Sequence, residues 1–106
     1  MVTLDRRRAR AGADLAFADS GGEGRAVLFT HGAGLDHTMF DAQTSALAAA
    51  GYRVLVWDMR GHGQSTLSPE RRFTAADALD DLAALCEECG IERVVPVGHS
   101  LGGNLS

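Results

Sequence analysis

The sequence predicts an α/β fold: a mostly parallel sheet with an N-terminal antiparallel hairpin, flanked by helices. Two observations carry this. Three short runs rich in Val and Leu, "RAVLFT" (Arg25–Thr30), "YRVLVWD" (Tyr52–Asp58) and "RVVPVG" (Arg93–Gly98), read as strands buried on both faces of a parallel sheet. Two segments of helical spacing separate them, and strand–helix–strand–helix–strand implies right-handed crossovers.

Each element follows in order. Residues 2–10 and 13–18 form two antiparallel strands joined near Ala11–Gly12. The Gly-rich "DSGGEGR" (Asp19–Arg25) lacks the Lys-Ser/Thr ending of a phosphate loop and opens no helix, so it is a connection. The first helix, roughly His37–Ala50, places Phe40, Gln43, Leu47 and Ala50 along one side and stops at Gly51. The second opens at Thr74 with Asp77 three residues on, a capping box with a shorter acid. Leu79, Leu82, Cys86 and Cys89 mark its buried face, and Gly90 supplies the stop. Pro96, inside the last strand, cannot donate to a sheet ladder; it either faces a position that tolerates the loss or marks a bulge.

Composition bounds the function. A chain of 106 residues is at most one small domain, and 45 % apolar with 23 % charged residues is globular rather than disordered usage. The net charge of −4 favours neither nucleic acid nor an anionic membrane surface. Arg6, Arg7, Arg8 and Arg10 read as exposed residues of a first strand and turn, not as a nucleic-acid patch. No apolar run approaches the ~20 residues of a membrane span. The N-terminal arginines are followed by no apolar h-region, so no signal peptide is expected and the location is cytoplasmic. The "CEEC" pair sits at a helix C-terminus, where the dipole opposes thiolate formation, and no further ligands follow at zinc spacing. Core packing is its expected role.

The chemistry is expected beyond the carboxyl ends of the strands. "VGHSLGG" matches G-x-S-x-G, a nucleophile elbow. A strand-to-helix turn this tight strains the backbone at Ser100, and side chains two positions away would collide. Gly98 and Gly102 remove them. A second loop, "THGAG", follows the first parallel strand. An acyl-transfer site needs two preorganised N–H donors for its oxyanion, and the backbone N–H groups of Ala33 and Leu101 are the candidates. Gly32 and Gly34 let that backbone approach a substrate.

Together these segments resemble the N-terminal part of the α/β-hydrolase family. "HGAG" is similar to that family's oxyanion loop, "DMRGHGQS" to its D-x-R-G-x-G-x-S loop, and "VGHSLGG" to its elbow, in order across roughly residues 13–106. The wording of "YRVLVWDMRGHGQS" is similar to lactonase, esterase and haloperoxidase-like members. The resemblance implies the N-terminal half of an α/β-hydrolase fold and Ser100 as nucleophile toward a small ester, lactone or other acyl substrate. It implies no metal and no cofactor, and gives Asp58, Arg60, Gly61 and Gly63 the task of shaping their loop. In that family an acid and a histidine follow the serine. Only "LGGNLS" follows His99 and Ser100 in sequence order here, so the chain reads as a partial domain, 1–106, truncated after the elbow. His99 should leave the turn away from Ser100, His31 braces backbone, and His37 and His62 hold solvated or structural places. None of the four is expected to be the base. The rival expectation is a non-catalytic product that self-associates through an exposed sheet edge.

Overall fold

The computed structural model describes residues 3–10, 12–32, 35–66 and 75–98. Its elements are β1 (Arg6–Arg10), β2 (Ala13–Asp19), β3 (Ala26–Thr30), a 3₁₀ turn (His37–Phe40) leading into α1 (Asp41–Ala49), β4 (Arg53–Trp57), α2 (Ala75–Glu88) and β5 (Val95–Gly98). The sheet order is β1-β2-β4-β3-β5. β1 and β2 form the antiparallel hairpin, and β2 also runs antiparallel to β4. β4, β3 and β5 are parallel, with Thr30 opposite both Trp57 and Gly98.

Alternation along the strands divides the core between the two faces. Leu15 and Phe17 of β2, Leu28 of β3 and Leu55 and Trp57 of β4 point to one face, where Ala78 and Leu85 of α2 close over them. Val27, Phe29, Val54 and Val56 point to the other, covered by Phe40, Leu47 and Ala48. Phe29 and Phe40 stack there with centroids 4.6 Å apart. All five residues of β3 are buried, as the continuous apolar run predicts.

Both helices stop where glycine was expected to stop them, and by the same device. Gly51 (φ +95°) and Gly90 (φ +67°) take left-handed conformations. Tyr52 N–H then bonds to Leu47 O and Gly51 N–H to Ala48 O, and Ile91 and Gly90 repeat this pattern onto Cys86 and Glu87. These are two Schellman ends.

Three expectations need correction. Gln43 and Ala50 are exposed, and α1 instead turns Thr44, Leu47 and Ala48 inward. Leu79 is 48 % exposed, because α2 buries Asp77, Ala78, Asp81 and Leu85. β5 is not buried on both faces: it is the outermost strand among the described residues, with Val95 43 % and Val97 36 % exposed. Pro96 therefore lies on an edge strand, where a missing N–H is tolerated. The expected cap Thr74 lies outside the described residues.

Of the arginines of β1, Arg6 and Arg7 are exposed as expected, whereas Arg8 and Arg10 are half-buried, and they pair with acids: Arg7 with Asp14, Arg8 with Glu88, and Arg10 with Asp80 and Asp81. Cys86 and Cys89 pack half-buried against the α2-side core. Burial raises both thiols, Cys89 to about 11, consistent with packing rather than redox chemistry.

Candidate active site

β3, β4 and β5 are parallel, so their carboxyl ends lie at one edge of the sheet. Thr30 sits in the core at the end of β3, its hydroxyl accepting the Trp57 indole N–H at 3.0 Å. His31 follows, fully buried. Met59 N–H donates to its Nε2 at 2.9 Å, which places the ring proton on Nδ1. Nδ1–H donates in turn to the Gly32 carbonyl at 2.7 Å. Leu35 N–H reaches the same oxygen at 3.1 Å. Desolvation lowers the His31 pKa and keeps the ring neutral. His31 braces backbone, as its position in "HGAG" implied.

The loop after β4 is organised by Asp58, whose buried carboxylate faces three N–H groups. Oδ1 accepts from His37 N at 2.7 Å and pairs with His37 Nδ1 at 2.9 Å, and Oδ2 accepts from Gln64 N at 2.8 Å. Gly63 (φ +49°) passes so close to this carboxylate that a methyl group at its α-carbon would collide with it. Ser65 Oγ–H donates to the Asp58 carbonyl at 2.6 Å and accepts from Ala16 N at 2.8 Å, tying the loop to β2. Asp58 thus joins the loop after β4 to the start of the 3₁₀ turn that follows the "HGAG" segment.

Arg60 points the other way, into the core beneath α2. Its Nε and Nη2 form a two-pronged contact with Asp81, at 2.7 and 2.8 Å, and both side chains are buried. Arg10 of β1 completes the cluster on Asp81 Oδ1 at 2.6 Å. The Arg60 pKa is raised, chiefly by this hydrogen bond. The family-derived expectation that Asp58, Arg60 and Gly63 shape a loop is met in detail. The partners His37, Asp81 and Arg10 were not foreseen. They lie 21, 21 and 71 residues from Asp58, Arg60 and Asp81, the groups they bond, and no local pattern links them.

Of the predicted site residues, Gly32 and Gly98 are described. Gly98 pairs with Thr30, two residues before Gly32, so the segments beginning at 31 and 99 leave neighbouring parallel strands at the same level. Ser100, Ala33, Leu101, Gly34 and Gly102 lie outside the described residues. Among the described residues no group of three or more His, Cys, Asp or Glu is placed to hold a metal ion, and no helix is long and apolar enough to cross a membrane. Two concave surfaces, one lined by Arg25, Ala26 and Arg93–Val95 and one beside Cys86 and Ile91, are remote from these loops. The first lies at the amino ends of β3 and β5 and the second at the carboxyl end of α2, so neither is at the carboxyl ends of the strands.

Residues 25–106 match the family described as alpha/beta hydrolase fold. The chain belongs to the α/β-hydrolase family. A non-heme haloperoxidase of Rhodococcus erythropolis is 41 % identical over 85 residues, covering 77 % of this chain and 30 % of that protein. A bifunctional esterase/perhydrolase of Acinetobacter calcoaceticus is 39 % identical over 93 residues, covering 87 % and 33 %. Among solved α/β-hydrolases, an epoxide hydrolase of Vigna radiata superimposes with a TM-score of 0.82 at 31 % identity, covering 94 % of this chain and 32 % of that one. The chain spans about a third of the length of these relatives.

Proposed function

We propose that this chain carries the nucleophile and oxyanion-binding part of a serine hydrolase acting on small esters, lactones or other acyl compounds. It corresponds to the N-terminal part of such a domain, in the cytoplasm, with no metal or cofactor. The observation that carries this reading is the β3–β5 register, Thr30 opposite Gly98. It supports the reading because the stretches "HGAG" and "GHSLGG" then start from adjacent parallel strands, and a nucleophile and its oxyanion donors have to be neighbours.

In this reading the Ser100 hydroxyl attacks the substrate carbonyl carbon and its proton passes to a base. The carbonyl π pair moves onto oxygen, where the Ala33 and Leu101 N–H groups hold it. Collapse expels the alkoxide, which takes the proton, and water then releases the acid from Ser100. The described histidines are engaged elsewhere: His31 through both ring nitrogens, His37 on Asp58, and His62 Nδ1 against the Arg60 carbonyl. The base and its orienting acid are therefore proposed to lie outside the described residues.

The test is labelling by a fluorophosphonate, with Ser100→Ala as control. Labelling of the wild type that vanishes in the variant supports a serine nucleophile. Equal labelling of both refutes it.

The exposed apolar edge favours a second reading, a non-catalytic chain that self-associates through β5. Sedimentation of wild type against Val97→Lys separates the two. Concentration-dependent oligomers abolished by the charge, without Ser100 labelling, support the second reading; a labelled monomer refutes it.

A further inference from the structure

We infer that the concavity at the amino ends of β3 and β5 is a binding site for a small organic phosphate, a monoester carrying a compact apolar group. It lies at the opposite ends of these strands from the acyl-transfer chemistry proposed above and does not depend on it. The arginines sort into two groups. Among the described residues, those of β1, Arg53 and Arg60 all reach a carboxylate. Of the described arginines, Arg25 and Arg93 alone reach none, and both line this one concavity. Both are exposed, and neither is bonded to Glu23 or Glu92, the acids nearest them in sequence.

β3 and β5 run parallel and in register from Val27 opposite Val95, and Arg25 and Arg93 each stand two residues before that pair. Like charges set side by side on neighbouring strands repel, and an anion held between them removes the repulsion. A phosphate monoester carries a charge of about −1.5 to −2 near pH 7, which matches two guanidinium groups. Its oxygens can accept from both planar forks at once, whereas a carboxylate offers one charge and fills one fork. The apolar group follows from the rest of the lining, which is buried Ala26 together with Val94 and Val95. The concavity measures about 220 Å³. That is below the roughly 300–1,000 Å³ of a site for a drug-sized ligand, so it suits a single ring or a short branched chain rather than a nucleotide or a peptide. The backbone around it is already fixed. Arg53 N–H donates to the Arg25 carbonyl at 3.0 Å, and a methyl group on Gly24 would collide with the Gly51 carbonyl, so the chain enters β3 by one path. Binding then orders two side chains rather than a loop, which keeps its entropic cost low.

The experiment titrates the full chain, labelled with ¹⁵N, with phenyl phosphate at low salt. Saturable shifts are expected at the amides of Ala26, Val94 and Val95. Arg25→Gln and Arg93→Gln should each weaken binding about tenfold, the effect of losing one charge-assisted contact. Inorganic phosphate should move the same amides at higher concentration, for want of the apolar group. Benzoate should also bind more weakly than phenyl phosphate, for want of the second charge. A wild-type titration without saturable shifts at these three amides would overturn the inference, and that readout needs no variant. So would an affinity indifferent to both substitutions, or shifts spread equally along the arginines of β1, the mark of a general ionic atmosphere. Benzoate binding as tightly as phenyl phosphate would overturn the assignment to a phosphate. None of these readouts passes through Ser100, so failure here leaves the acyl-transfer reading standing.

Discussion

Asp81→Asn should be the most damaging single change in the loop–helix interface, and clearly worse than removing its partner. Asp81 and Arg60 are both almost completely shielded, with side-chain exposures of 0 % and 1 %. Two charges taken out of water are tolerated only while they neutralise each other. Asp81→Asn takes away the carboxylate that Arg60 hydrogen-bonds and leaves the buried guanidinium only the charge of Asp77 nearby, a loss of about 3 kcal/mol, the low end for breaking a buried pair. Arg60→Met leaves Asp81 with Arg10, at 2.6 Å and on a side chain that still reaches solvent, so the carboxylate stays paired and the loss is smaller. Arg60→Met with Asp81→Leu removes both charges and should recover most of the stability, since an apolar pair of similar volume is often neutral or better. A domain of this size has about 5–15 kcal/mol to lose. At about 4 °C or more per kcal/mol, Asp81→Asn should lower Tm by roughly 12 °C or more. Urea titrations of the three variants, read by Trp57 fluorescence, give the comparison. Equal losses for Asp81→Asn and Arg60→Met, or a double variant no better than Asp81→Asn, would refute the argument.

Gly63→Ala should cost about 2–4 kcal/mol, combining a left-handed backbone with a collision against a carboxylate pinned by three N–H groups. Gly90→Ala, equally left-handed but facing open space, should cost only about 1 kcal/mol; denaturation midpoints of the pair check the difference. Below the ordinary histidine pKa of 6.5 the unfolded chain takes up a proton that buried His31 resists, so the unfolded state binds more protons there. The His31 contribution is complete above pH 6.5 and shrinks as pH falls toward its lowered folded pKa; His31→Gln should flatten that limb of a stability-versus-pH curve. Asp19, lowered first by its Arg53 bond, adds a second loss at more acidic pH, through and below its ordinary 3.8, which Asp19→Asn should remove.

How much of this was legible beforehand depended on the kind of signal. Continuous apolar runs identified β3, β4 and β5, and glycines fixed both helix ends, because backbone conformation there allows few alternatives. The helix faces slipped for two different reasons. Counting from Phe40 assumed one helical period, but residues 37–40 form a 3₁₀ turn, so the inward positions fall on Thr44 and Ala48 rather than Gln43. In α2 the orientation is set partly by buried Asp81, and a search for apolar periodicity treats an aspartate as solvent-facing. It therefore assigned Leu79 to the core. The loop motifs named Asp58 and Arg60 correctly as structural, yet the side chains they engage come from distant elements. Such pairings follow from topology, and a motif read along one dimension does not contain them.

The position of β5 at the margin of the sheet has a kinetic corollary. Among the described residues β4 and β3 are hydrogen-bonded on both sides, whereas the edge strands β1 and β5 are each laddered on one, β5 to β3. Amide deuteration should therefore be slower along β3 and β4 than along the two edge strands, and Val95–Gly98 can detach without opening the rest. Of the three parallel strands, β5 is thus the one that comes loose first. Any neighbour laid against its free side would hold that strand in register with β3.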